Sequence, residues 1–172
     1  VIGGGDWAFG RVVPDCVRAW AVSDKPTIRA PMAVRPWQHV FEALSGYLSL
    51  GARLLGRELH AESFNFGPCG DEVHSVEALV KAMAGYWGQV SWHNGRSDHT
   101  WRETEMLRLN SDKAQALLGW RSVLSFEKTA QLTAERYKAY YAGTVNMTEF
   151  SLNQIDAYVA SARQRCYPWA SV

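Results

Sequence analysis

The chain is poor in cysteine, with three residues, Cys16, Cys69 and Cys166, among its 172 positions. Their number is odd and no two of them form a C-x-x-C pair, so the sequence favours neither a disulfide framework nor a zinc site. Unpaired thiols are typical of a reducing compartment. We therefore expect a cytoplasmic protein with no bound metal.

An excess of charge and a long apolar run are missing as well. The net charge is +1 at pH 7, so no overall field attracts nucleic acid or an anionic membrane. No stretch approaches the ~20 apolar residues of a membrane-spanning helix, and we expect no signal peptide. We expect neither nucleic acid nor a membrane as a partner. An initiator methionine is also absent before Val1, which we expect of the middle of a longer polypeptide.

Apolar and aromatic side chains are plentiful, since 47% of the residues are hydrophobic and eight are Trp. This composition predicts one folded domain. Helical spacing of apolar residues predicts helices that begin near positions 12, 41, 76, 112, 126 and 152. The predicted strands are short and isolated, at 27–29, 64–66, 90–92 and 106–109. They are too few for an independent sheet, and we expect their partners outside this chain.

Two helices are predicted in more detail. The helix near position 41 carries apolar residues at helical spacing and ends at glycine; these residues are Phe41, Leu44, Leu48, Ala52 and Leu55. The last helix is predicted to start at a capping box, Ser151-x-x-Gln154. Its inward residues would be Leu152, Ile155 and Val159, and we expect the tail from about Arg163 to be frayed.

The opening VIGGGDWAFG contains G-x-G-x-x-A, a variant of the dinucleotide-binding fingerprint. A true fingerprint follows a strand and opens a helix at its third position. Only Val1 and Ile2 precede these glycines, and the predicted helix begins after Arg11, so the context argues against a cofactor loop. The alternatives are a flexible loop and a loop that brings backbone close to a ligand. The rest of the chain favours the second.

Five segments carry a resemblance to a known family. They are VIGGGDW at 1–7, RVVPD at 11–15, PTIRAPMAVRPWQHV at 26–40, FNFGP at 64–68 and LGW at 118–120. Together they resemble the substrate-binding half of the extended short-chain dehydrogenases/reductases that act on nucleotide sugars, and among these the CDP-glucose 4,6-dehydratase family. RPWQHV beside GGGDW is specific to that family, whereas NFGP and LGW mark the wider superfamily.

The resemblance implies an α/β fold class: the C-terminal part of an NAD(P)-binding Rossmann-type enzyme, mostly helices with short strands. It implies that residues 1–165 form the nucleotide-sugar-binding half and 166–172 a tail, with the N-terminal Rossmann half absent from this chain. The family's catalytic Tyr-x-x-x-Lys lies in that half, and no tyrosine here has a lysine four positions later. We therefore expect no catalytic residue, no cofactor-binding residue and no turnover from this chain alone.

The resemblance also implies a reaction for the intact enzyme. CDP-glucose would become CDP-4-keto-6-deoxyglucose, with NAD carrying the hydride and bound mainly by the N-terminal half. The intact enzyme is expected to be a homo-oligomer. Two alternatives stay open: another nucleotide-sugar epimerase, reductase or dehydratase with a different base, and a non-catalytic module that binds nucleotide sugars.

The substrate-binding residues come from the same resemblance. It assigns Arg35 and Arg11 to the pyrophosphate, whose two negative charges suit planar guanidinium groups. The alternative for each is a surface arginine, paired with a carboxylate or flanking a helix. Thr27, Ile28 and Arg29 match the strand whose backbone reads the base in related enzymes. Their alternative is a plain short strand.

Two further residues are assigned with open alternatives. Asn65 of NFGP either bonds the ligand or ties down a turn. Arg102 lies in a loop where other superfamily members place a phosphate-binding arginine. We expect His39 to help hold the loop rather than act as a base. Ala30 and Met32 depart from the asparagine and histidine that the family has at these positions, which leaves the base and sugar preference open.

Overall fold

The computed structural model of the chain describes residues 1–68, 70, 73–95 and 104–170. Its helices are α1 (Val12–Ala21), α2 (Val40–Leu55), α3 (Val76–Trp87), α4 (Asp112–Leu118), α5 (Phe126–Ala142) and α6 (Met147–Gln164). Its strands are β1 (Thr27–Ile28), β2 (Val34–Arg35), β3 (His74–Ser75) and β4 (His93–Asn94), and Pro168–Ala170 forms a final 3₁₀ turn. None of the helices in these ranges is long and apolar enough to cross a membrane.

The main core lies between three helices. α3 and α5 make the most extensive contact, and α1 packs on both of them. Val17, Leu79 and Ala130 are fully buried in this core, together with the ring of Tyr137. Removing this apolar surface from water is the main favourable contribution to folding. Two smaller clusters are built around Trp120 and Tyr158.

The predicted starts of α3 and α5 are confirmed. Ser75 and Ser125 each precede their helix in extended backbone, and each hydroxyl accepts a hydrogen bond from the N–H three residues on. Gly143 ends α5 in the left-handed region, with φ of 64°. Serine at the N-cap and glycine at the end satisfy backbone groups that the helix itself leaves unpaired.

The predicted start of α6 is wrong. Asn146 caps the helix, because its side-chain oxygen accepts from the N–H groups of Thr148 and Glu149. Ser151 lies inside the helix, where its hydroxyl donates to the carbonyl of Met147 one turn back. Asparagine is as good an N-cap as serine, and the earlier cap adds more than a turn to the helix.

The predicted inward face of α6 is also wrong for two residues. Leu152 and Ile155 are exposed, whereas Gln154, Tyr158 and Ala162 are buried. The Gln154 amide donates to a carbonyl of α5, so a polar group is buried because it has a partner. Val159 does pack beside Tyr158 in the third cluster.

The tail from Arg163 is not frayed over the residues that the structure describes. α6 continues to Gln164, and Ala170 is buried after the 3₁₀ turn. The Arg163 guanidinium donates to the Ala170 carbonyl at 2.9 Å. This bond folds the chain end back onto α6.

The strands pair in two small ladders. β1 and β4 are parallel, and β2 and β3 are antiparallel. The strand predicted at 64–66 is wrong, the one at 90–92 is displaced onto β4, and the one at 106–109 is reduced to a parallel bridge between Val34 and Met106. A strand exists only where a neighbour accepts and donates its backbone hydrogen bonds, and sequence pattern does not show the neighbour.

The apolar residues of α2 do not form its buried face. Leu44, Leu48 and Leu55 are 47%, 74% and 89% exposed, although the bounds of the helix agree with the prediction. The buried residues of the helix are Glu42, Ala43, Ser45 and Gly46, and two of them are polar. Tertiary contacts have overridden the pattern, and a leucine-rich face of α2 is left at the surface.

Glu42 is buried because three donors surround it. Its carboxylate accepts from the N–H groups of Val123 and Leu124 at 2.8 and 2.7 Å, and from the hydroxyl of Tyr158 at 2.9 Å. Burial raises the pKa of Glu42, against these hydrogen bonds, which favour the charged form. The network joins α2, α6 and the segment before α5.

Candidate functional site

The glycine run lets the opening loop lie close against two helices. A Cβ at Gly3 would lie 2.9 Å from Cγ1 of Val40, and a Cβ at Gly4 would overlap the stem of Arg136. Gly5 has φ of +104°, in the region that favours glycine. The run therefore fits α2 and α5 on either side. It opens no helix of its own, since α1 begins only at Val12.

Aromatic and arginine side chains hold the rest of this loop. The Tyr137 hydroxyl donates to the Asp6 carbonyl at 2.5 Å, and the Trp7 ring packs 4.7 Å from that of Tyr140. Arg18 donates to the carbonyl of Trp7 at 3.0 Å. Burial raises the pKa of Tyr137 to about 12, so its hydroxyl remains a donor. Sequence reasoning missed these contacts, because their partners are far apart in the chain.

A groove of about 800 Å³ lies beside the loop. Its walls are residues 1–6 and the start of α1 on one side, and residues 35–38 with Leu107 and Leu109 on the other. Both Arg11 and Arg35 line it. The structure therefore brings together two of the arginines that the sequence assigned to the pyrophosphate.

Arg11 lies at the entrance of α1 with its guanidinium mostly exposed. Its Nη1 is 3.0 Å from Oδ2 of Asp6. Burial alone would raise the pKa of Asp6, but hydrogen bonds from the Ala8 N–H and Arg11 outweigh it, and the pKa is lowered. The N-cap residue of α1, Arg11, makes no side-chain cap hydrogen bond, so the first N–H groups of the helix and the guanidinium of Arg11 are neighbouring donors for an anion.

Arg35 is fixed by backbone carbonyls. Its Nη1 donates to the carbonyls of Val34 at 2.8 Å and Thr104 at 2.7 Å. It lines the groove and also a smaller cavity of about 170 Å³ beside α1. Val12 and Trp37 line both as well. Arg35 is therefore shared by the groove and the smaller cavity, and it also borders a cavity of about 470 Å³ next to residues 107–112.

The smaller cavity contains the predicted base-reading strand. Thr27, Ile28, Arg29 and Ala30 line it, opposite Gly10 at the end of the opening loop. The guanidinium of Arg29 donates to the carbonyl of Gly10 at 3.1 Å. The Arg29 side chain thus joins β1 to the loop, while the backbone of residues 27–30 borders the cavity.

His39 and Gln38 support the base of the groove. His39 Nδ1 accepts from the N–H of Phe41 and caps α2, and burial lowers the pKa of His39 to about 4. Its imidazole is therefore neutral near pH 7. The side-chain amide of Gln38 donates to the carbonyl of Phe66, and the backbone carbonyl of Gln38 accepts from the N–H of Ile2. These bonds support the expectation that both residues hold the loop.

Two predicted site residues are not part of this arrangement. Asn65 is exposed and lines neither cavity. Its neighbour Phe66 packs against Trp120 instead. Arg102 lies outside the described residues.

No protein-family model matches the chain. The chain is 36% identical over 163 residues to CDP-glucose 4,6-dehydratase of Salmonella typhimurium, a match that covers 94% of this chain. The chain spans 45% of the length of that enzyme.

Two solved structures share the fold. One is a point mutant of UDP-glucuronic acid 4-epimerase from Bacillus cereus, bound to a fluorinated UDP-sugar and NAD, with a TM-score of 0.67, 14% identity, and coverage of 82% of this chain and 44% of that one. The other is dTDP-glucose 4,6-dehydratase from Bacillus anthracis with NAD, with a TM-score of 0.61, 17% identity, and coverage of 80% and 40%. The chain therefore has the fold of the C-terminal part of an NAD(P)-binding extended short-chain dehydrogenase/reductase, and its sequence is similar to CDP-glucose 4,6-dehydratase over nearly its whole length.

Proposed function

We propose that this chain is the nucleotide-sugar-binding part of a 4,6-dehydratase that converts CDP-glucose to CDP-4-keto-6-deoxyglucose. The observation that carries the proposal is that Arg35 lines both a groove large enough for a sugar and a small cavity whose volume suits a base. A nucleotide sugar has its pyrophosphate at the matching point, between base and sugar. The identity with CDP-glucose 4,6-dehydratase supports the choice of substrate.

In this arrangement Arg35 and Arg11 bind the pyrophosphate. Arg35 is held in place by two carbonyls, which accept from one of its nitrogens. Arg11 exchanges Asp6 for a phosphate oxygen, and the open N–H groups at the start of α1 add further donors. We propose the same role for Arg102, on the resemblance alone. Asn65 supports the turn at Gly67 rather than the ligand.

The base occupies the smaller cavity, against the backbone of Thr27, Ile28 and Arg29. Trp37 borders the cavity and offers an aromatic surface for the ring. The sugar extends into the larger groove, where the loop of residues 3–6 orients it. The described side chains thus bind and orient the substrate, and none of them has a role in the chemical steps.

The chemistry belongs to polypeptide outside this chain. NAD, when bound, supplies hydride acceptance and return, and we propose that an N-terminal dinucleotide-binding half holds it. The glycine run of this chain does not fit that role, because the side chains of Val40 and Arg136 occupy the space beside Gly3 and Gly4. We expect the isolated chain to have no dehydratase turnover.

The leucine-rich face of α2 supports this domain arrangement, with residues 1–165 as the substrate-binding half and 166–172 as a tail. α2 follows directly on a parallel bridge between Ile2 and His39. Parallel sheets are normally covered on both faces, and a two-residue bridge cannot stand alone. We propose that the N-terminal half continues this sheet and covers Leu44 and Leu48.

We also propose that the intact enzyme is a homo-oligomer.

Calorimetric titration of CDP-glucose into the chain tests the proposal. We expect binding, and a loss of at least tenfold in affinity for Arg35→Ala, since hydrogen bonds to charged groups contribute about 1.5–3 kcal/mol. The matched control is Arg53→Ala, which removes an exposed arginine that is paired with Glu58 and lines neither cavity. Equal affinity in the two variants, or a measurable dehydratase rate from the chain alone, would contradict the proposal.

A further inference from the structure

Asp15 contributes a carboxylate to the smaller cavity, and neither the resemblance nor the proposed function uses it. The residue lies in the first turn of α1 and lines the cavity opposite β1. Its Oδ1 accepts from the N–H of Gly10 at 3.3 Å and pairs with Arg18. Both contacts use the same oxygen. Within the described residues, Oδ2 of Asp15 accepts no hydrogen bond.

The rest of the cavity suits a flat ring. Its lining includes the apolar side chains of Ile28 and Val76 and the indole of Trp37. Cys16 also lines it, and burial raises the pKa of this thiol to about 12, so it carries no charge. The volume is about 170 Å³, and a cavity of roughly 150 Å³ is known to hold benzene. The cavity therefore accommodates a single six-membered ring beside one carboxylate.

We propose that Asp15 selects an aminopyrimidine base, cytosine, over the keto-pyrimidines uracil and thymine. This inference rests on the proposed placement of the base in the smaller cavity. The exocyclic N4 amine of cytosine donates hydrogen bonds, and carboxylates are its natural acceptors. Uracil and thymine carry the acceptor O4 at the same position. If O4 lies against Oδ2 of Asp15, two hydrogen-bond acceptors face each other and one of them carries a negative charge, so the contact is repulsive.

Arg18 keeps the carboxylate in position through Oδ1 and leaves Oδ2 as an open hydrogen-bond acceptor. The Arg18 guanidinium also donates to the carbonyls of Trp7 and Ala8. It therefore links Asp15 to the loop that borders the groove. Arg18 acts as a positioning residue here, while Oδ2 of Asp15 faces the ligand.

The test compares the dissociation constants of CDP, UDP, dTDP and GDP for the wild-type chain and for Asp15→Asn. Asparagine keeps an oxygen for the Gly10 N–H, so α1 still starts as before, but its amide nitrogen donates. We expect the wild type to prefer CDP over UDP about tenfold or more, as discrimination by one good base contact provides. In Asp15→Asn that preference should disappear or reverse. GDP should bind most weakly if the cavity admits only one ring.

Asp24→Asn is the matched control, because it makes the same charge change in the turn after α1 and outside the cavity. It should leave the CDP-to-UDP ratio at the wild-type value. A uniform loss of affinity in Asp15→Asn, with an unchanged ratio, would show that Asp15 only shapes the loop and would overturn the inference. In that outcome the chain still binds nucleotide, so the proposed function stands while the inference fails. If the wild type binds no nucleoside diphosphate at all, the proposed function fails together with the inference.

Discussion

At the scale of single residues, the glycines at the start of the chain show why a motif needs its context. Positions 3 and 4 require glycine for steric reasons, because Val40 and Arg136 occupy the space that a Cβ would need. Gly5 is there for its backbone angle. The sequence predicted a loop rather than a cofactor fingerprint. It did not indicate which helices the loop approaches, since Arg136 is far away in the chain.

Gly4→Ala should destabilise the chain by ~1–3 kcal/mol, as overpacking of a close contact does. The new methyl group overlaps the Arg136 stem near its backbone, where the side chain is least able to move aside. Urea unfolding followed by circular dichroism measures the effect. Because the loop also borders the groove, nucleotide affinity should fall with it.

The control for that substitution is Gly85→Ala. Gly85 lies in α3, and a Cβ there meets nothing within 4 Å. Alanine is the better helix former, so this variant should be more stable than wild type by about 0.5–1 kcal/mol. If both substitutions change the unfolding free energy in the same direction, packing against Arg136 does not determine the conformation of the loop.

At the scale of elements, helix existence was predictable and helix ends only partly so. The Ser75 and Ser125 caps follow from local chemistry, and the structure confirms them. Ser151 has the same local signature but lies within α6. Asn146 competes with it for the role of N-cap. It lies three residues after Gly143, where α5 ends.

Substitution of the two candidate caps of α6 distinguishes them. Asn146→Ala should cost ~1 kcal/mol of stability, since two N–H groups of the first turn lose their acceptor. Ser151→Ala should cost less, because a hydroxyl that bonds a carbonyl within its own helix contributes little. Chemical denaturation of both variants under the same conditions gives the comparison. A larger loss for Ser151→Ala would restore the capping box as the start of the helix.

At the scale of the whole molecule, the surface of α2 is the feature that a self-sufficient domain does not explain. Its leucines are exposed in this chain, while its polar side is buried with Glu42. Large apolar patches mark interaction sites. The proposed N-terminal half is the partner that the parallel bridge at Ile2 and the 45% coverage of the relative both favour.

Leu48→Arg tests that partner. In this chain alone the change should alter the unfolding free energy by less than about 0.5 kcal/mol, because Leu48 is 74% exposed. In the longer polypeptide that we propose, it should lower the melting temperature by several degrees. Val22→Arg, at an equally exposed position after α1, should leave both melting temperatures unchanged. Equal effects of Leu48→Arg in the two proteins would mean that α2 has no intramolecular partner.

The sequence by itself determined much of the local structure. Helix periodicity, serine caps and glycine ends act over a few residues, so α1 to α5 could be predicted. The assignment of Arg11 and Arg35 to a pyrophosphate came from the family resemblance and stays a prediction. Only the tertiary structure decided which faces are buried, which strands pair and which residues meet. The burial of Glu42 in α2 and the contact of Arg35 with Thr104 depend on contacts between distant segments. Such contacts are set by three-dimensional packing, which no local pattern contains.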